Sequence, residues 1–526
     1  MNEKTKNNNR KISAAALILA TAATLCFPQI LNGEENSLTF TNSIFAVLLW
    51  GMCFYTVKRF LEIIDLSDRR GFRISGIFAF LFTMAMLFGV RLDRIENVDF
   101  KDIRLWISLP VLTVFFAVLV RVVWDLLDKG LQKRAQKSVT GSIKWPLQVR
   151  EQRTDIISFI VIFLCWLPVF LAVYPGFFVY DAQDEYVQVA TRMFSTHHPL
   201  VHVLLLGGII CGVHKLLGSY NMGIACYVMI QMLCVSGSFA FLLSYFRKKK
   251  VSRVVYFAGV FYFALFPVVV MFALCSAKDA LFAVMLLLLL LCLLQMGLDG
   301  ESFFASKRWR FLFVVSAAGM MLFRNNGLYA FLLMIPVLVF SRKSHRRSVW
   351  LCAVCAVVGC LLINTGLKVV FHADDSENQE ILTVPIQQLA RTYKYTPEVF
   401  DEEDTKILHE ILSEDTLRMY NARLSDPVKV RFDNEAFQKD KSRYAWLWMK
   451  IGFRKPLSYF NAWWMTSYGF WYPDAVVNVY GGNTVFTFTY QDSSYFVYEV
   501  EEPVAMDSKI PWLDEIYRRM SLEIWK

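Results

Sequence analysis

The chain has 526 residues, of which 56% are apolar, 15% aromatic and only 19% charged, with a formal net charge of +10. A soluble domain carries roughly a quarter charged residues and disperses its apolar ones, so this composition excludes a disordered chain and an ordinary soluble enzyme. The basic excess would suggest nucleic acid in a soluble protein; in an apolar one it marks cytoplasmic loops, and no nucleic-acid partner is expected.

The apolar residues gather into runs of about 20, the length that crosses a hydrocarbon core about 30 Å thick. All 11 cysteines fall in or beside such runs. No disulfide framework or zinc ribbon is spaced out, and the Cys352-x-x-Cys355 pair reads as small packing residues inside a span. Lys4, Lys6, Arg10 and Lys11 precede the first run, which is long and lacks a small-residue cleavage site, so it is expected to stay as a span.

Basic residues near span ends stay cytoplasmic, which sets the topology. With the N-terminus inside, spans at about 12–31, 42–57, 74–90, 105–124 and 155–174 alternate cleanly. The loop after Tyr174-Pro175-Gly176 is then outside. The segment 200–217 is apolar enough to span, but counting it would put Arg247-Lys248-Lys249-Lys250 and Arg342 to Arg347 outside. It is therefore expected to lie at the outer interface, with span six at 220–246 and span eleven at about 348–371.

The expected fold is an α-helical polytopic membrane protein of about 11 transmembrane helices. Its parts are a four-span N-terminal extension (1–154), a transmembrane core (155–371) with an external loop at 175–220, and an external polar α+β domain (372–526). In that last part, helices are expected over 401–424 and 428–449. An interface-lying aromatic helix is expected near 456–472, and a hairpin over 476–480 and 484–490 around Gly481-Gly482-Asn483.

Sorting polar residues by side puts four clusters on the outer face. The first is Asp181, Asp184 and Glu185 followed by His197 and His198, in a stretch where four of the 7 histidines lie between 197 and 214. The others are Lys278-Asp279, Arg324-Asn325-Asn326, and Gln387-Gln388 with Arg391. Each abuts apolar sequence, as intramembrane and membrane-edge functional groups do. His198 and His202 have the i, i+4 spacing of zinc ligands but lack the adjacent glutamate of H-E-x-x-H, so no metal site is assigned.

These motifs resemble the C-type (GT-C) membrane glycosyltransferases, such as protein O-mannosyltransferases, bacterial lipid A aminoarabinose transferases and oligosaccharyltransferases. Residues 174–199 look like that superfamily's first external loop, with Asp181 or the Asp184-Glu185 pair as its acidic element. His198-Pro199-Leu200 is similar to the His-Pro-Pro-Leu that opens an interfacial helix, and Asp279 matches the second acidic position. More narrowly, the motifs from Tyr174-Pro175-Gly176 to Pro385-Ile386-Gln387-Gln388 look like a bacterial multispanning family of unassigned function. There is no Asp-x-Asp pair for a metal.

The resemblance implies a cell-membrane, multi-pass enzyme with an extracellular or periplasmic active face. It would take a polyprenyl-phosphate sugar donor and an envelope glycan, lipid or protein acceptor, among membrane lipids. The residue chemistry fits: a phosphate leaves as an anion without an acid, while the acceptor hydroxyl needs one base. Asp181 is the expected base, with Asp184 and Glu185 as the fallback or as the cap of a helix over 186–194. Lys278, Arg324 and Arg391 are expected to hold the donor phosphate. Asp279 orients Lys278 or the acceptor, and Gln387 and Gln388 contact sugar or acceptor. No cofactor is required, and a divalent metal is optional. The alternative is a transporter or flippase for a lipid-linked or anionic solute, using the same external charges as a gate.

Overall fold

A computed structural model describes residues 3–31, 43–64, 67–140, 151–178, 180–475 and 507–525. In chain order the main helices are α1 (Glu3–Cys26), α2 (Ile44–Ile63), α3 (Arg69–Ile95), α4 (Ile103–Thr140), α5 (Glu151–Ala172), α6 (Tyr180–Thr191), α7 (Leu200–Leu217) and α8 (Tyr220–Lys248). They continue as α9 (Arg253–Leu265), α10 (Pro267–Ala273), α11 (Lys278–Leu298), α12 (Lys307–Phe323), α13 (Asn326–Ser341), α14 (Arg346–Val370), α15 (Thr383–Tyr395), α16 (Lys441–Arg454), α17 (Pro456–Ser467) and α18 (Pro511–Trp525). The described residues contain no strand beyond two isolated bridges.

The protein is a helical, multi-pass membrane protein. Nine helices among the described residues are long and apolar enough to cross a bilayer: α1 to α5, α7, α8, α11 and α14. The pair α9 and α10, bent by 56° at its break, makes ten if it is one interrupted span. Against the expected count of about 11, the described residues thus offer nine or ten. Helices α12 and α13 have only 17 and 16 residues, about 25 Å at 1.5 Å per residue, which is less than the hydrocarbon thickness. The segment 200–217, with 18 residues, is long and apolar enough to span as well as to lie at the interface.

The chain divides into two compact units, Met1–Pro146 with Glu377–Val479, and Leu147–Ser376 with Tyr480–Lys526. This differs from the three-part division expected at 154/155 and 371/372. The reason is burial: Ile386, Leu389 and Leu408 share one apolar core with Leu87, Leu92 and Leu105 of α3 and α4. Asn461 on α17 accepts a hydrogen bond from the Val98 amide at 2.8 Å, fixing the α3–α4 turn to that core. In the same unit Ala16, Ala20 and Ala23 line the face of α1 that meets Cys53, Val57, Phe115 and Val118. Small residues there let helix backbones approach closely.

The polar C-terminal segment is helical where described, but in shorter pieces than expected. The stretch 401–424 breaks after Ile411, where Ser413 caps a new helix (Glu414–Arg418). The stretch 428–449 breaks at Asp433 and Asp440, each of which accepts a bond from the amide three residues on. Polar caps at these positions stabilise new N-termini better than they tolerate a helix interior. Helix α17 has 12 residues, too short to span. The hairpin expected over 476–490 lies outside the described residues, so no strand supports an α+β assignment.

Candidate functional site

The site is organised by the chain reversal after α5. The Tyr174–Pro175 peptide is cis and Gly176 has φ +114°, a left-handed conformation open to glycine. A Cβ at Gly176 would also come within 2.6 Å of Val228. Beyond it, the Phe177 amide donates to Leu274 O at 3.0 Å and the Ser276 amide to Phe177 O at 2.8 Å. This parallel bridge sets the segment leading to α6 beside the one leading to α11. Asp181 lies in the first turn of α6, and Lys278 is the first residue of α11.

Lys278 donates to Asp181 Oδ2 at 2.5 Å, and its ammonium lies 3.4 Å from Nδ1 of His198. A cation opening a helix opposes the helix dipole, so Lys278 is held by its carboxylate partner rather than by its helix. A second bridge positions His198: the Asp374 amide donates to Phe194 O and the Thr196 amide to Asp374 O, each at 2.9 Å. The next residue on α11, Asp279, accepts from Arg324 Nη1 at 2.6 Å. Arg324 ends α12, its guanidinium 5.8 Å from the Phe282 ring centre. Asn325 and Asn326 are exposed at the start of α13. Gly327 follows because a Cβ there would meet the Met320 carbonyl at 2.7 Å.

Electrostatics separate the three carboxylates. Burial works against the charge of Asp181, but the Lys278 ammonium outweighs it and holds the carboxyl below the usual range. Partial desolvation by the surrounding protein, and then the charge of Asp181, push solvent-facing Asp184 above that range. Burial, then Lys278, lower His198 to about 3, so it is a neutral ring. Glu185 is fully buried and bonds His202 Nδ1. The Asp184-Glu185 pair therefore does not cap a helix over 186–194; the helix begins at Tyr180.

The geometry gathers Asp181, His198, Lys278, Asp279 and Arg324 in one unit, with Asp184 and exposed His197 nearby in sequence. Gln387, Gln388 and Arg391 belong to the other unit. There Gln388 accepts from Trp448 Nε1 at 2.8 Å and donates to Tyr459 O at 3.2 Å. Arg391 donates to Glu96 O at 2.5 Å and to the Tyr420 hydroxyl at 3.2 Å. Gln387 is buried and its amide has no partner. His198 and His202 turn to different partners, and no group of three or more metal-ligating side chains occurs among the described residues.

Sequence reasoning missed the role of His202, Tyr227 and Gln231, a fully buried polar chain reaching from Glu185 to the carbonyls of Ala273 and Cys275. Two isolated polar residues one turn apart in the apolar run 220–246 were the available signal.

The model of a family of unknown function, DUF6020, matches residues 186–520. The chain belongs to that family. The DUF6020 match takes in His198, Lys278, Asp279 and Arg324 and begins after Asp181. No curated protein and no solved structure matches the chain significantly.

Proposed function

We propose that this DUF6020 protein is a membrane glycosyltransferase of the GT-C kind. It transfers a sugar from a polyprenyl-phosphate donor to an envelope acceptor on the outer face of the cell membrane. The observation that carries the reading is the pairing of two cations with two carboxylates at helix ends, Lys278 with Asp181 and Arg324 with Asp279. A lipid-borne phosphate arrives at the end of a membrane helix, and it can replace a carboxylate as the partner of each cation.

That exchange switches the site on. While Asp181 faces Lys278 its carboxyl is a weak base. When the donor phosphate takes Lys278, Asp181 loses the partner that holds its proton affinity down and becomes able to accept the acceptor hydroxyl's proton. The acceptor oxygen then bonds to the sugar's anomeric carbon as the bond from that carbon to the phosphate oxygen breaks. The polyprenyl phosphate leaves as an anion balanced by Lys278 and Arg324. Asp279, released from Arg324, is free to orient the acceptor.

In this reading α7 lies along the outer interface, which keeps Arg247 to Lys250 inside. Modification of a cysteine at position 249 by an impermeant reagent in intact cells would overturn that topology. The decisive assay incubates purified protein with a polyprenyl-phosphate sugar and measures release of polyprenyl phosphate. Movement of the intact donor across a vesicle membrane without release would instead favour a flippase.

A further inference from the structure

The buried polar chain behind the ion pairs has a direction. Gln231 Nε2 lies 2.9 Å from Ala273 O and 2.7 Å from Cys275 O. Carbonyl oxygens only accept, so both amide hydrogens are committed there and Oε1 faces the other way. That oxygen is 3.1 Å from the Tyr227 hydroxyl, which therefore donates its one hydrogen to it. The hydroxyl then offers only lone pairs to His202 Nε2 at 2.6 Å, so Nε2 must carry a hydrogen. The contact between His202 Nδ1 and Glu185 Oε2 needs one hydrogen as well, on either atom.

Whichever atom holds that hydrogen, the pair has no net charge: a carboxylic acid beside a neutral ring and a carboxylate beside an imidazolium sum alike. Both residues are fully buried, and Glu185 Oε1 has no partner, a setting in which an uncompensated charge is costly. The reverse polarity, from phenol to ring to carboxylate, sets lone pair against lone pair at Gln231 and buries a net negative charge.

We propose that Glu185, His202, Tyr227 and Gln231 form a one-directional hydrogen-bond chain that keeps one proton shared between Glu185 and His202 and sets Lys278 against Asp181. The chain grips both halves of that ion pair. Glu185 lies one turn after Asp181 on α6, and Gln231 holds the carbonyls just before Lys278. Glu185 is thereby a positioning residue and not the catalytic carboxylate. The chain does its work whether or not the site transfers a sugar, so the tests below do not use transfer.

The first test is nitrogen NMR of purified protein labelled with ¹⁵N-histidine, the His202 signal being assigned by replacing the other histidines singly. A protonated Nε2 on His202 is expected; a bare Nε2 with a protonated Nδ1 overturns the polarity. The second is acylation of the Lys278 amine, read by mass spectrometry on monodisperse protein. Gln231→Leu should speed it about tenfold, the factor that losing one net hydrogen bond gives. Gln295→Leu, which removes another buried glutamine of the same unit, should leave it unchanged. Equal rates in wild type and Gln231→Leu, or an equal rise in Gln295→Leu, overturn the positioning role. Glu185→Gln should label like wild type, because its amide can donate to Nδ1, and Glu185→Leu should label faster. Labelling of Glu185→Gln as fast as that of Glu185→Leu would show that one hydrogen donated to Nδ1 does not keep Lys278 in place, and would overturn the positioning role of that shared hydrogen.

Discussion

In the unit of 147–376 and 480–526, Lys278 and Arg324 direct their donors to side-chain carboxylates, Asp181 and Asp279, at 2.5 and 2.6 Å. In the unit of 1–146 and 377–479, Arg391 directs its guanidinium to the Glu96 backbone carbonyl at 2.5 Å, and Arg423 reaches the Asp93 backbone carbonyl at 2.6 Å with the Asp93 carboxylate 3.4 Å away. The difference separates two uses of a cation. A carboxylate can rotate away when another anion arrives. The carbonyls at 93 and 96 belong to the end of α3, where Glu96 closes the helix with φ 53°, and they can leave only if that end unravels. On the proposed reading, similar charges beside similar apolar sequence make an exchangeable site in one unit and a fixed joint in the other.

The sharpest way to break this comparison is through turnover. With donor bound, Asp181→Asn should lower polyprenyl-phosphate release by about 10² to 10⁴, the usual worth of a general base. Lys278→Ala should lower it by about 10² to 10³, with partial recovery in Lys278→Arg, because the leaving anion loses a counter-charge. Separate measurement of donor affinity should show a smaller loss than that in turnover, since the full phosphate charge develops only as the bond breaks. Wild-type turnover in both Asp181→Asn and Lys278→Ala would remove the ion pair from the mechanism.

The second effect is on stability. Arg391→Leu strands the half-buried Glu96 carbonyl and the buried Tyr420 hydroxyl, which should cost about 1 to 3 kcal/mol in unfolding measured in detergent. Affinity for polyprenyl phosphate, in protein still folded, should not change. A loss of affinity with unchanged stability would make Arg391 an exchangeable cation after all and erase the contrast between the units.

The sequence carried the parts of the site that interrupt apolar runs at their ends: Asp181, His198, Lys278-Asp279 and Arg324 are visible because charge is expensive there. It carried the membrane class for the same reason, since runs of about 20 apolar residues have few other uses. What it could not carry is pairing at a distance. Arg391 looks like Arg324 in sequence, and only the packing of 386–408 on α3 and α4 turns it toward a carbonyl. Glu185 looks like a third catalytic carboxylate until His202, 17 residues on, is seen beside it. The expected count of about 11 exceeds the nine or ten long apolar helices of the described residues because composition does not show helix length, as in the 16 residues of α13.

The smallest predicted effect compares two carboxylates on one helix. Asp184 titrates higher in the fold than in the unfolded chain, because burial and the charge of Asp181 disfavour its ionised form. The folded protein therefore binds more protons than the unfolded one between those two values, and stability falls as pH rises through them. Asp184→Asn should then stabilise the protein at neutral pH, by under about 1 kcal/mol because this carboxyl is exposed and screened. It should have no effect below the unfolded value of about 3.9. Asp181 has the opposite sign: its carboxyl is depressed in the fold by Lys278 against the opposing effect of burial. Its contribution is present at neutral pH and is lost as pH falls below the usual carboxylate range. Asp181→Asn should accordingly destabilise at neutral pH and converge on wild type in acid. Unfolding curves of the two variants across that range should move apart in opposite directions as pH rises. If instead they move together, the Lys278 ammonium does not discriminate between the two carboxylates, and the exchangeable pair at the head of α11 is not the source of the asymmetry.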